Sequence, residues 1–196
     1  MPKKFSNKYR IDSARLKNWD YRSNGAYFIT ICTANRNHFF GEIVVNGTSK
    51  EMNLSEVGIL AEKYWEEIPK HFPFVELGNF VVMPNHMHGI LIVNNDNTVE
   101  TLHCNVSDDK TLQCNVCTDD KNQFFSKISP KSGSISTIIR SYKSIVAREA
   151  HLINPKFKWH SKFHDHIIRN SISFERIQNY IENNPSNWKE DKFYSL

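Results

Sequence analysis

Residues 81–93 read VVMPNHMHGILIV. Apart from one polar corner the stretch is apolar, yet it carries two histidines two positions apart, His86 and His88. Strand side chains alternate between faces, so His86, His88, Ile90 and Ile92 point one way and Met87, Gly89, Leu91 and Val93 the other. Both rows are otherwise hydrophobic, the pattern of a strand covered on both sides. A buried imidazole must still satisfy two ring nitrogens. At positions i and i+2 the Cα atoms stand roughly 6.5 Å apart on one face, and the rings can bridge that gap to one ion about 2.0–2.2 Å from each nitrogen. His86 and His88 are therefore a candidate metal pair, and the Met-Pro-Asn corner places it at a strand end, where a substrate can enter.

Working outward, VELGNF before the corner continues the strand pattern, as two strands folded at Met-Pro-Asn or as one long bulged strand. Upstream, AYFITICT and HFFGEIVVN read as two strands around the polar turn NRN. Between these blocks NLSEVGILAEKYWEEIPKHFP changes period: Ser55 is a candidate cap, and Val57, Leu60, Ala61, Tyr64, Trp65 and Ile68 share one helical stripe. Downstream, SISTIIRSYKSIVAREAHLI is a second helix opened by Ser134 or Ser136. It has Ile138, Tyr142, Ile145, Val146 and Glu149 on one side and Arg140, Lys143 and Ser144 on another. FKWHSKFHDHIIR returns to strand-like sequence, and SISFERIQNYIENNP is a last helix capped by Ser171 or Ser173. Strands, helix, strands, helix, strand, helix is the order of an α+β fold: a ferredoxin-like antiparallel sheet with helices packed mainly on one face.

At 196 residues the chain is long enough for one core and short for two. We expect a single domain over 1–196 with an insertion at about 94–132. Within it TLHCNVSDDK is followed at once by the near-copy TLQCNVCTDDK, a polar, acidic duplication of the kind surface loops tolerate. Cys114-x-x-Cys117 with His103 and Cys104 has the look of a zinc site. Cys117 arises only from the one-residue difference between the copies, so duplication explains the cysteines more simply.

No run of sequence approaches a membrane span, and the basic N-terminus lacks the apolar segment of a secretory signal, so a cytoplasmic protein without membrane contact is expected. The net charge of +4 hides an asymmetry: six acids face two lysines between Asn94 and Lys121, leaving +8 on the rest of the chain. Such a surplus suits a polyanion partner.

The histidine-hydrophobe-histidine triplet His86-Met87-His88 resembles the signature of HUH endonucleases. FVVMPNHMHGILIV resembles the single-tyrosine branch, the REP-associated tyrosine transposases of bacteria. YFITICT, IIRSYKSIVAREA, FHDHIIRN and ERIQNYIENNP follow one another in that family's order, whereas the insertion has no counterpart in it. The resemblance implies the HUH endonuclease fold and a metal-dependent enzyme that cleaves and rejoins single-stranded DNA. A helix-borne tyrosine attacks a phosphodiester, giving a 5′-phosphotyrosine and a free 3′-OH. His86 and His88 would hold Mg²⁺ or Mn²⁺ to polarise the phosphate.

Tyr142 is the expected nucleophile, because it lies on a helix after the histidines beside Arg140 and Lys143. Arg140, Lys143 and Arg148 are the expected DNA-binding residues. Tyr180, striped with Ile177 and Ile181, is the rival tyrosine and reads more readily as core. Members of the family often take a third metal ligand from a polar side chain one turn beyond the tyrosine. Beyond Tyr142 that place holds Val146, and Glu149 a turn further is the substitute. His164 and His166 repeat the i, i+2 spacing, for which hydrogen bonding or phosphate contact is simpler than a second metal. Trp159 and Phe163 offer either stacking platforms or core. The expected partner is single-stranded DNA carrying a hairpin, bound by a monomer or homodimer. The alternative function is a catalytically inactive or domesticated DNA-hairpin-binding protein.

Overall fold

The computed structural model describes residues 16, 19–47, 49–95 and 131–194. Its centre is a four-stranded sheet made of β1 (Gly25–Cys32), β4 (Val75–Met83), β5 (His86–Val93) and β6 (His164–Ile168), in the order β4-β5-β1-β6, every pair antiparallel. Between β1 and β4 come a separate hairpin, β2 (Gly41–Asn46) with β3 (Ser49–Leu54), the helix α1 (Glu56–Glu66) and the short α2 (Ile68–His71). Helix α3 (Ile135–Ile153) connects β5 to β6, and α4 (Ser171–Asn183) follows β6. Without the hairpin and α4, this is the ferredoxin-like α+β arrangement expected from the order of elements.

Two layers of different composition cover the sheet. On one face, Tyr27, Ile29, Ile31, Met87, Leu91 and Val93 meet α1 and α3 in the main core. Helix α1 turns Val57, Ala61 and Trp65 inward, and α3 turns Ile135, Ile138, Ile139, Tyr142, Val146 and Ala150, spacings that mark one helical face. Gly89 has no side chain because the Trp65 indole occupies the space its Cβ would need. On the other face, the histidine face, α4 packs Ile177 and Ile181 on Ile90 and Ile168. Ser55 caps α1 by accepting from the Gly58 amide, as expected. The cap of α4 is Asn170, accepting from Ser173 N, one residue ahead of the serines.

One strand pairing differs from expectation. NRN does not close a hairpin, because both edges of β1 are taken by β5 and β6, so β2 pairs with the polar stretch SKEMNL instead. The insertion, its duplicated repeat and Cys104, Cys114 and Cys117 lie outside the described residues. Among the described residues, no helix is long and apolar enough to cross a membrane.

Candidate metal centre and nucleophile

The corner Pro84-Asn85 turns β4 into β5 and delivers His86 and His88 to one end of the sheet, 0 and 1% exposed. Their outer nitrogens are spoken for. His86 Nδ1 lies 2.9 Å from Asn85 Oδ1, and His88 Nδ1 lies 2.9 Å from the hydroxyl of Thr30, its register partner on β1. Asn85 Nδ2 donates to the Phe193 carbonyl at 2.9 Å, which turns Oδ1 toward the imidazole and puts the ring proton on His86 Nδ1. The lone pair of His86 is thereby left on Nε2. The two Nε2 atoms converge at 3.1 Å.

Burial holds both imidazoles neutral. His86 falls to about 4, because burial, with Lys192 and Arg36 adding to it, outweighs the Asp191 carboxylate that opposes the shift. His88 is held well below the usual histidine range by burial first and then by His86, Lys192 and His164. Neutral imidazole is the form that binds a cation.

Helix α4 lies across this pair. Ile177 and Ile181 anchor it to the sheet, and Asn79 ties it to β4, donating to Glu182 Oε1 at 2.6 Å and accepting from Gln178 Nε2 at 2.9 Å. Tyr180 sits on the margin of that apolar stripe, 41% exposed, with its hydroxyl 3.2 Å from His88 Nε2 and donating to Asp191 Oδ2 at 2.9 Å. Burial, then the Asp191 hydrogen bond and charge, raises its phenol above the ordinary tyrosine range.

One turn beyond Tyr180 stands Asn184, 2% exposed. Its Nδ2 donates to Asp191 Oδ2 at 3.0 Å, while its Oδ1 is buried and accepts no hydrogen bond. A third candidate ligand, a carboxylate, comes from the chain after α4: ligand atoms of His86, His88 and Asp191 all lie within 4.8 Å of one another. Burial raises the Asp191 carboxyl, but the Phe193 amide, Asn184, His86 and Tyr180 together bring it below its usual value. The rings of Phe193 and Trp188 close the site over His86, at 4.7 and 5.9 Å between centroids.

The expected nucleophile is elsewhere. Tyr142 is 3% exposed, its hydroxyl donates to the Ala61 carbonyl at 2.9 Å and lies 2.9 Å from Met87 Sδ, and its ring packs edge-on against Trp65. Met87 points to the face of β5 opposite the histidines, so the sheet itself separates Tyr142 from them, and burial pushes its phenol well above the ordinary range. This corrects the assignment to Tyr142: its stripe on α3 is core. Val146 is wholly buried in the same core, and Glu149 pairs with Arg148 at 2.9 Å, so neither joins the histidines.

Arg140, Lys143 and Arg148, also on α3, share that remote side. Lys143 donates to the His160 carbonyl at 2.6 Å, and Arg140 and Arg148 border a cavity of about 540 Å³ between α3 and the α1–α2 segment. Trp159, half-buried, packs on Phe157, Phe40 and Tyr142 at the margin of the core. His164 and His166 are exposed on the edge strand β6, in register with Thr30 and Phe28.

The sequence held a signal for Tyr180. A polar side chain one turn beyond the tyrosine is present after Tyr180, as Asn184, and absent after Tyr142. Nothing local marks Asp191, which reaches the pair only because the chain beyond α4 folds back.

The fold, rather than the site, can be set beside solved structures. A solved REP-associated tyrosine transposase bound to a REP hairpin matches 93% of this chain and 77% of its own, with a TM-score of 0.55 and 17% identity. The chain has the fold of that transposase. No protein-family model matches the sequence. The chain belongs to the same family as an uncharacterized protein of Haemophilus influenzae, to which it is 34% identical over 186 residues, 93% of this chain and 92% of the relative.

Proposed function

We propose that the protein is an HUH-type transposase or nickase that cleaves and rejoins single-stranded DNA, with Tyr180 as the nucleophile. The observation that carries the reading is the Tyr180 hydroxyl 3.2 Å from His88 Nε2, on the helix laid over the histidine pair. The solved transposase of like fold holds a DNA hairpin, which supports a hairpin-bearing strand as the substrate here.

A divalent ion fits the donors. Two nitrogens each about 2.1–2.2 Å from an ion and at right angles to one another stand roughly 3 Å apart, as the paired Nε2 atoms do. The carboxylate of Asp191 makes the set a mixed nitrogen and oxygen one that accepts Mn²⁺ or Mg²⁺ as well as softer ions, and the orphaned oxygen of Asn184, whose Nδ2 bonds that carboxylate, is a further candidate donor. When bound, such an ion would polarise the scissile phosphate and lower the phenol's proton affinity.

The remaining steps belong to the chain. Tyr180 Oη forms the new bond to phosphorus while the bond from phosphorus to the 3′-oxygen breaks. The phenolic proton leaves along the hydrogen bond to Asp191, and a solvent proton ends on the departing 3′-oxygen. Reversal by the 3′-OH rejoins the strand without an external energy source. Phe193 and Trp188 close over His86 and bound the site on that side.

The test is a hairpin-bearing DNA oligonucleotide incubated with protein and Mn²⁺. A covalent protein–DNA adduct should form, disappear with Tyr180→Phe and persist with Tyr142→Phe. An adduct that survives Tyr180→Phe refutes the assignment, and tight binding with no adduct from the unmodified protein favours a binding module instead.

A further inference from the structure

The turn after β1 carries two consecutive non-glycine residues in the left-handed region, Asn35 at φ 55° and Arg36 at φ 57°. No other non-glycine residue among those described has a positive φ. The turn is held from all sides: the Thr33 hydroxyl lies 2.7 Å from the Asn37 carbonyl and 2.9 Å from that of Asn85, and Ala34 N donates to the Lys158 carbonyl at 2.8 Å. Strain of this kind persists where surrounding contacts over-determine it, and it gathers at functional sites.

What the strained turn presents is a guanidinium. Arg36 donates to the Lys192 carbonyl at 3.1 Å and lies 5.4 Å from the centroid of the Phe193 ring. Lys192 Nζ lies 4.8 Å from the same centroid. That ring is in turn 4.7 Å from His86. Two cations thus flank the mouth of a site suited to a divalent cation. Their repulsion opposes loading of the ion, unless an anion arrives between them. An arginine's planar fork matches two phosphate oxygens, and an aromatic face beside it offers a base a place to stack.

We propose that Arg36 and Lys192 grip the backbone phosphate next to the scissile one and that Phe193 seats its base, a subsite that sets the register of the strand. The proposal rests on the nuclease reading above, but its test does not depend on cleavage. DNA-binding affinity is measured on a series of oligonucleotides in which each phosphate in turn is replaced by a neutral methylphosphonate.

The intact protein should lose roughly tenfold in affinity at one phosphate flanking the cleavage position. Arg36→Ala should bind the unmodified strand several-fold more weakly and lose less than the intact protein at that one position, and Arg36→Ala with Lys192→Ala should lose nothing further there, both remaining sensitive at the other positions. Arg36→Lys should lie between. A merely structural role for Arg36, as a latch on the 191–194 segment, would instead weaken every oligonucleotide equally and leave the position dependence intact, and that result overturns the proposal, as does wild-type affinity in Arg36→Ala. Adduct formation scored in parallel keeps the two readings apart: no adduct with the intact protein sinks the nuclease alone, and an adduct with no Arg36-dependent phosphate sinks the grip alone.

Discussion

The hydroxyl of Tyr180 stands 3.2 Å from Nε2 of His88, whereas that of Tyr142 is turned to the Ala61 carbonyl beneath the opposite face of the same strand. One sheet thickness separates a phenol that can meet a phosphate at the histidines from one that cannot.

Tyr142→Phe and Tyr180→Phe should therefore fail in different ways. Tyr142→Phe removes a buried hydrogen bond and should lower stability by about 1 kcal/mol, read as a shift in the urea midpoint, with strand cleavage retained. Tyr180→Phe should leave the midpoint within about 0.5 kcal/mol of the parent and abolish the adduct. The converse pattern would place the chemistry on α3.

Thr30→Val keeps shape but leaves His88 Nδ1 without its 2.9 Å partner. Loss of such an orienting bond commonly costs 10- to 100-fold in metal affinity. Titration with Mn²⁺ should show that loss, and Asn184→Ala should also weaken the ion. Undiminished affinity in both variants would mean that the pair is not a metal centre.

Stability of the metal-free protein should fall in mild acid. His86 binds its proton near pH 6.5 when unfolded but only at about 4 when folded, so between these values the unfolded chain holds more protons. The penalty is absent above about pH 6.5, grows as the pH falls between 6.5 and 4, and levels off below about pH 4 at roughly 3 kcal/mol. Urea unfolding in the presence of a chelator from pH 7 to 4.5 should show this slope. Replacing both His86 and His88 by leucine should flatten it, and an equal slope in that variant would refute the assignment.

Gly89→Ala should destabilise without touching the site's chemistry. Its new methyl would lie 2.8 Å from Trp65 Cε2 and 3.1 Å from Phe80 Cβ. Overpacking of this kind costs roughly 1–3 kcal/mol, measured by denaturant unfolding. Full stability in this variant would show that the Trp65 indole can yield.

Much of this was legible in the residues alone. Alternation along HMHGILIV put both histidines on one face and the strand at mid-sheet, because strand period is a local property of the backbone. The stripes on α1, α3 and α4 and the cap at Ser55 were readable for the same reason. The order of elements was enough for the ferredoxin-like arrangement. Tyr142 drew the nucleophile's role from its place after the histidines and beside Arg140 and Lys143, although its stripe is apolar; a helical period says which side is apolar without saying which face of the sheet that side covers.

Tertiary structure alone decided the rest. That α4 crosses the histidine face depends on Ile177 and Ile181 meeting Ile90 and Ile168, contacts remote in sequence, and it is this docking that carries Tyr180 and Asn184 to His88 and Asp191. The return of the chain beyond α4, which brings Asp191 and Phe193 to the pair and Lys192 beside Arg36, leaves no periodic trace, because it is held by single hydrogen bonds such as Asn85 to Phe193 and Arg36 to Lys192. Periodicity reports how each segment is half buried. Which residues share a site is settled only when those halves are pressed together.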